Sequence, residues 1–131
     1  DARAVFDLET AMERGHAYKE AGADILFIEA PQTEDEMKTI RTNFPSTPLI
    51  ANIVEGGKTP YLTGDQLTKI GFSLAIYPIT TLLASTRIIE RALQRLRTNT
   101  EMSPQDIASF SDLHNISGLD EYLTDARVKD S

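Results

Sequence analysis

The stretch Pro48-Leu-Ile-Ala-Asn-Ile-Val-Glu-Gly-Gly-Lys-Thr-Pro60 decides the fold. Its apolar run is bounded by proline before and by Gly56-Gly57 after, too short for a helix and without the apolar/polar alternation of a half-solvated strand, so it reads as a strand buried on both faces. The run ends in an amide and a carboxylate, Asn52 and Glu55, and polar groups at a strand's end mark a site. Ala23-Asp-Ile-Leu-Phe-Ile-Glu-Ala-Pro31 repeats the design and ends in Glu29, and Gly71-Phe-Ser-Leu-Ala-Ile-Tyr-Pro-Ile-Thr80 ends in Tyr77 and Thr80. One structural unit recurs along the chain.

Helical patterns fill the intervals. Asp7 is a natural N-cap, Leu8, Ala11, Met12, Gly15, Tyr18 and Ala21 share a face, and Gly22 supplies a left-handed stop before a strand over Ile25 to Ile28. Thr33-Glu-Asp-Glu36 fits a capping box, with Met37, Ile40 and Phe44 as the buried face behind it and Pro45 and Pro48 ending the helix. Thr63-Gly-Asp-Gln66 is a second box, closed by Gly71 and followed by a strand over Phe72 to Tyr77. The longest helix runs from Thr80, its expected N-cap, to Arg97, with Leu82, Ile89, Leu93 and Leu96 on one face and Leu83 and Ile88 widening the stripe, which favours more than one neighbour. Beyond Asn99 the pattern changes: Ser103-Pro104 is a cap with a first-turn proline, short helical pieces follow at Ile107 to Phe110 and Leu119 to Leu123, joined by Ser117-Gly118, and Arg127 to Ser131 reads as a frayed end.

Helices alternating with β-branched strands mean parallel strands joined by right-handed crossovers. A closed barrel takes eight such units and about 250 residues, and an isolated three-stranded parallel sheet would leave two open edges. The expectation is an α/β piece completed by more chain, and an opening at Asp1 rather than Met agrees with it.

Composition narrows the partners. The chain has 131 residues, enough for one modest core, and a formal charge of -7, which offers no basic field for nucleic acid or an anionic membrane. The absence of cysteine removes disulfides, Cys-based zinc sites and thiol nucleophiles within these residues, a pattern compatible with the cytoplasm. No apolar run approaches the ~20 residues of a membrane span, and no signal-peptide pattern is present.

Several residues carry both a functional and a plain reading. Glu29 is an ionisable group beside an apolar run, which calls for paired surroundings, or simply a strand-end glutamate bonded to nearby amides. Asn52 can both donate to and accept from a substrate carboxylate, or close its strand as a turn residue. Glu55, Gly56 and Gly57 form a tight turn in which glycine permits backbone approach to a ligand. Lys58 either reaches a carboxylate or stays solvated, and Tyr77 and Pro78 either touch substrate or shape the pocket wall. His16 and His114 read as surface or structural residues. Gly56-Gly57-Lys58-Thr59 lacks the glycine spacing of a phosphate loop and is followed by Pro60.

Asp1-Ala2-Arg3, Glu20-Ala-Gly-Ala-Asp24, Phe27-Ile-Glu-Ala30, Leu49-Ile-Ala-Asn-Ile53, Glu55-Gly-Gly-Lys-Thr-Pro60, Ile76-Tyr-Pro78 and Ser117-Gly-Leu-Asp-Glu-Tyr122 occur together and in order. In this combination the chain resembles the C-terminal part of the isocitrate lyase and phosphoenolpyruvate mutase superfamily, near its 2-methylisocitrate lyase, carboxyphosphonoenolpyruvate mutase and oxaloacetate decarboxylase branches. The resemblance implies an α/β fold, the last three βα units of a (β/α)8 TIM-type barrel over residues 1–98, with a helical tail over 99–131. It implies a Mg2+-dependent lyase that cleaves a carbon–carbon bond in a small 2-hydroxy or 2-oxo di- or tricarboxylate through an enolate-like intermediate. The alternatives are a phosphoenolpyruvate or carboxyphosphonoenolpyruvate mutase-like enzyme, or a truncated copy that only associates with full-length subunits. Glu29 then matches a catalytic pocket carboxylate that orients the arginine and the metal–water network, with Asn52, Glu55, Gly56, Gly57, Lys58, Tyr77 and Pro78 binding the substrate. Partners would be further copies in a homotetramer that exchanges the final barrel helix, or the missing N-terminal part of the barrel. The family's metal ligands, its substrate-binding arginine and its mobile loop match nothing in these residues, so the chain by itself is expected to be inactive. Val54 stands where the lyase branch usually has threonine, which sets 2-methylisocitrate apart from the expected substrate.

Overall fold

The computed structural model describes residues 1–129, with side chains described through residue 125. The chain divides into two compact units, residues 1–83 and 84–131.

In the first unit a short helix α1 (Ala2–Val5) leads into α2 (Leu8–Glu20), whose N-cap Asp7 accepts the Thr10 N–H at 2.7 Å. Gly22 takes φ +102 just beyond α2 and turns the chain into strand β1 (Leu26–Phe27). Helix α3 (Glu34–Asn43) and strand β2 (Leu49–Asn52) follow, then α4 (Gly64–Ile70) and β3 (Leu74–Ile76). The strands form one parallel sheet in the order β1-β2-β3, with Leu26 opposite Leu49 and Asn52 opposite Ile76. The chain is thus an α/β protein with a small parallel sheet.

One face of that sheet is packed and the other is bare. Leu26 and Leu49 pack on Ile40 and Phe44, while Ala51 and Ile53 pack on Met37, Leu62 and Leu67, so every residue of the expected buried face of α3 lies in the core. The alternate strand residues point away from these helices: Ile25 is 50%, Phe27 47% and Leu74 51% exposed. Absence of polar alternation in the strands anticipates a second cover, which residues 1–83 do not supply.

Three local expectations in this unit need correction. Glu36 does not close a capping box: Thr33 accepts the Glu36 N–H, but the Glu36 carboxylate turns to Arg3 and to the Gln32 N–H. The Thr63 box does form in both directions. Thr80 is already helical in α5 (Thr80–Arg97), the cap carbonyl belongs to Ile79, which accepts from the Leu83 N–H, and the Thr80 hydroxyl donates to Glu55. Strands β1 and β3 are shorter than the apolar runs that contain them, because ladder bonds form only where a neighbouring strand stands opposite.

In the second unit Asn99, at φ +51, ends α5, and the Arg95 guanidinium donates to the Glu101 carbonyl at 2.8 Å. Ser103 caps a 3-10 turn (Pro104–Asp106), with proline in its first turn, and Arg91 pairs with Asp106 at 2.8 Å. Helix α6 (Phe110–Ser117) starts at the Ser109–Asp112 capping box, later than the piece expected at Ile107 to Phe110. Gly118, at φ +66, joins it to α7 (Leu119–Lys129). The expected frayed end, Arg127 to Ser131, is helical through Lys129, and Asp130 and Ser131 lie outside the described residues. Among the described residues no helix is long and apolar enough to cross a membrane.

Candidate functional site

Parallel strands end in register, so the residues that follow them gather at one rim of the sheet. Glu29 follows β1 and Asn52 ends β2, and the Asn52 amide donates to the Glu29 carboxylate at 3.4 Å. They lie on the bare side of the sheet, in phase with Phe27 and Ile50. Ala30, next to Glu29, sits in the left-handed region at φ +59 although it is 6% exposed and not glycine. A cavity of about 280 Å³ opens here, lined by Ala4, Glu29, Ala30, Asn52, Val54 and Lys58 among others.

The loop after β2 completes the rim. Gly57 N–H donates to the Val54 carbonyl at 3.0 Å, and Gly56 takes φ +70, so this turn needs glycine at position 56. Gly57 fits tightly for a different reason, since a Cβ there would lie 3.0 Å from the Val54 carbonyl oxygen. Glu55 turns away from Glu29: one of its oxygens accepts from the Thr80 hydroxyl at 2.5 Å, tying this loop to the start of α5. Thr59 is buried and Lys58 exposed, and both line this cavity.

Two acceptors in this group are buried without a protein donor, Asn52 Oδ1 and the second oxygen of Glu55. A buried unsatisfied oxygen costs about 1–3 kcal/mol, and more when charged, so the rim is chemically suited to groups that bring hydrogen-bond donors. It is not a cation cage: among the described residues no three His, Asp or Glu side chains converge on a point that could hold a metal ion.

The sequence-derived residues therefore separate into groups. Glu29 and Asn52 meet, with Gly57 and Lys58 on the same cavity. Glu55 and Gly56 shape its rim. Tyr77 donates to the Leu62 carbonyl at 3.4 Å and its ring lies 6.1 Å from that of Tyr61, while Pro78 is exposed; neither lines the cavity with Glu29. His16 lies against the Phe44 ring at 4.5 Å.

Residues missed in the sequence stand behind the rim. Arg3 holds both oxygens of Glu36, at 2.7 and 2.9 Å, and Gln32 N–H adds a third bond at 2.8 Å. The Arg3 guanidinium, helped by the Gln32 amide, holds the Glu36 carboxyl below its ordinary range, and Glu36 in turn raises the pKa of Arg3. Only the long separation of two opposite charges was visible beforehand, and that is no signal.

A carboxylate and an amide at the C-terminal ends of parallel strands put the polar site of this α/β protein on the strand-end rim. The chain belongs to the phosphoenolpyruvate phosphomutase family, whose model matches residues 3–97. It is 40% identical over 123 residues to 2,3-dimethylmalate lyase of Eubacterium barkeri, covering 92% of this chain and 42% of that protein. It is 46% identical over 91 residues to 2-methylisocitrate lyase of Bacillus subtilis (strain 168), covering 70% of this chain and 30% of that protein. The structure of oxaloacetate acetylhydrolase in complex with the product oxalate superposes with a TM-score of 0.90 at 25% identity, over 100% of this chain and 45% of that one. The chain thus spans less than half the length of each of these relatives, and the expected family resemblance is borne out.

Proposed function

We propose that residues 1–98 form the last three βα units of a (β/α)8 barrel, followed by a helical tail over 99–131, in an enzyme that cleaves a carbon–carbon bond of a small 2-hydroxy or 2-oxo di- or tricarboxylate. The observation that carries this is the Glu29–Asn52 pair on the strand-end rim, beside a bare apolar sheet face with unpaired edges on β1 and β3. Such a face and such edges call for further strands. The lyase relatives and the oxalate-bound neighbour support the choice of substrate class.

Each residue then has a chemical task. Glu29 takes the proton of the substrate hydroxyl as the carbon–carbon bond breaks, leaving a 2-oxo product and an enolate-like fragment that is afterwards protonated. The Asn52 amide holds Glu29 in place, while its buried oxygen accepts from the substrate. Gly56 and Gly57 let the backbone approach, and Lys58 neutralises a carboxylate. Tyr77 and Pro78 take no part in this cavity, and Glu55 acts through Thr80 to fix the loop.

A divalent metal, Mg2+ by family resemblance, would stabilise the oxyanion when bound; the side chains present do not form a cage for it, so its ligands would stand on other strands. The proposal extends to homo-oligomers, supported by the exposed Leu93 and Leu96 on α5, and places them in the cytoplasm. The test is a panel of 2-alkylmalates, oxaloacetate and 2-methylisocitrate given to the natural protein that carries this chain, with and without chelator. Metal-dependent release of a 2-oxo acid or oxalate is expected from at least one. Phosphoenolpyruvate rearrangement without any cleavage would favour the mutase reading instead.

A further inference from the structure

The turn that presents Glu29 contains a residue in an unfavourable backbone state, and a partly buried ion pair is bonded to the backbone two residues further on. Ala30 has φ +59, a region that β-carbon sterics disfavour and that persists only where the surroundings impose it. Two residues on, the Gln32 N–H is bonded to Glu36 Oε2 at 2.8 Å. That same carboxylate is gripped in a fork by Arg3, through Nε at 2.9 Å and Nη2 at 2.7 Å. The two side chains are only 17% and 20% exposed, so the pair is shielded from the solvent that weakens most surface ion pairs. Ala4, beside Arg3, lines the same cavity as Glu29 and Ala30.

From this geometry we infer that Arg3 is a positioning residue: through Glu36 and the Gln32 amide it locks the left-handed Ala30 turn and so aims Glu29 at Asn52. The inference rests on the role given to Glu29 above. The path runs from Arg3 through Glu36 to the Gln32 amide and along the backbone to Ala30 and Glu29, and none of the first three residues lines the cavity. Lysine cannot replace the fork, since it offers one point of charge rather than two parallel donors.

The lock makes an unusual rescue available. Glycine adopts φ +59 freely, so the turn no longer needs to be forced when Ala30 is glycine. In the full-length natural protein, Arg3→Gln is expected to lower kcat about tenfold, less than the ~100-fold that a 1 Å misplacement of a reacting group can cost, with little change in KM. Amide exchange across residues 28–36 should speed up in the same variant. Adding Ala30→Gly to Arg3→Gln should recover most of kcat and slow the exchange again.

A pair that merely docks α1 would not be rescued by a change at position 30. Unchanged kcat and exchange in Arg3→Gln, or losses that Ala30→Gly leaves untouched, would overturn the inference. If Arg3→Gln does not fold, Glu36→Gln, which keeps the shape and one acceptor, takes its place with the same expectations. If the wild-type protein cleaves no carboxylate at all, the proposed function falls, and the exchange measurement alone judges Arg3: faster exchange reversed by Ala30→Gly supports the lock, and equal exchange refutes it.

Discussion

Gly15→Ala is a substitution whose sign the packing decides. Position 15 lies in the middle of α2 and is buried, so by helix propensity alone alanine should stabilise by about 1 kcal/mol. The added Cβ, however, would stand 2.8 Å from Phe44 Cζ, 3.4 Å from Phe44 Cε2 and 3.5 Å from Ile28 Cδ1. The first contact falls short of the ~3.5 Å optimum for two carbons by roughly 0.7 Å. Phe44 is 0% exposed and is held between Leu26, Ile40 and Leu49, with the His16 ring on its face, so it has no room to give.

Overpacking of this kind costs about 1–3 kcal/mol, and the propensity gain offsets only part of it, leaving a net loss of about 1 kcal/mol. Phe44→Leu removes the far ring atom. In that background the same Gly15→Ala change should become stabilising by about 0.5–1 kcal/mol, giving a coupling of about 2 kcal/mol between neighbours. Urea unfolding followed by circular dichroism on the four proteins of this cycle measures both numbers. Gly15→Ala that stabilises the parent, or a coupling near zero, would refute the packing argument.

Three further outcomes follow from other parts of the molecule. Arg41 donates to the carbonyls of Thr47, Gly71 and Phe44, knitting the ends of α3 and α4 to the approach to β2, so Arg41→Met should cost about 2–3 kcal/mol in the same assay. The folded-state pKa of Glu36 lies below its ordinary 4.5, so its contribution to stability is present above that value and is lost as pH falls through the lower folded value; Glu36→Gln should flatten the acid limb of a melting-temperature profile and leave its neutral-to-alkaline shape unchanged. Leu93→Asp places a charge on the exposed apolar stripe of α5, and sedimentation velocity should show loss of self-association or of docking to a longer partner, an unchanged profile counting against the exchanged helix.

What could be read in the sequence followed from local chemistry. Asp7, the Thr63–Gln66 box, Gly71 and Gly118 each satisfy their own neighbouring backbone, so the helix ends they mark were legible. The buried stripe Met37, Ile40 and Phe44 showed itself by spacing, and Glu29 and Asn52 by their place at the ends of apolar runs. What stayed hidden depends on contacts between distant segments. Glu36 looked like a capping residue until Arg3, 33 positions away, drew its carboxylate elsewhere. Ala30 carries no preference for a left-handed turn, and α1 is too short to show a period. Strand lengths depend on partners opposite, which an apolar run does not encode.

The most direct test of the central claim sets the wild-type protein and its Glu29→Gln variant side by side, in carbon–carbon cleavage of the best carboxylate substrate and in inhibition by oxalate. A neutral amide keeps the shape of the rim but cannot take a proton, so kcat should fall on the order of 10²–10⁴-fold while oxalate still binds within a few-fold of wild type. A variant that cleaves at the wild-type rate would show that the strand-end carboxylate is not the proton acceptor and that the site has been placed on the wrong residues.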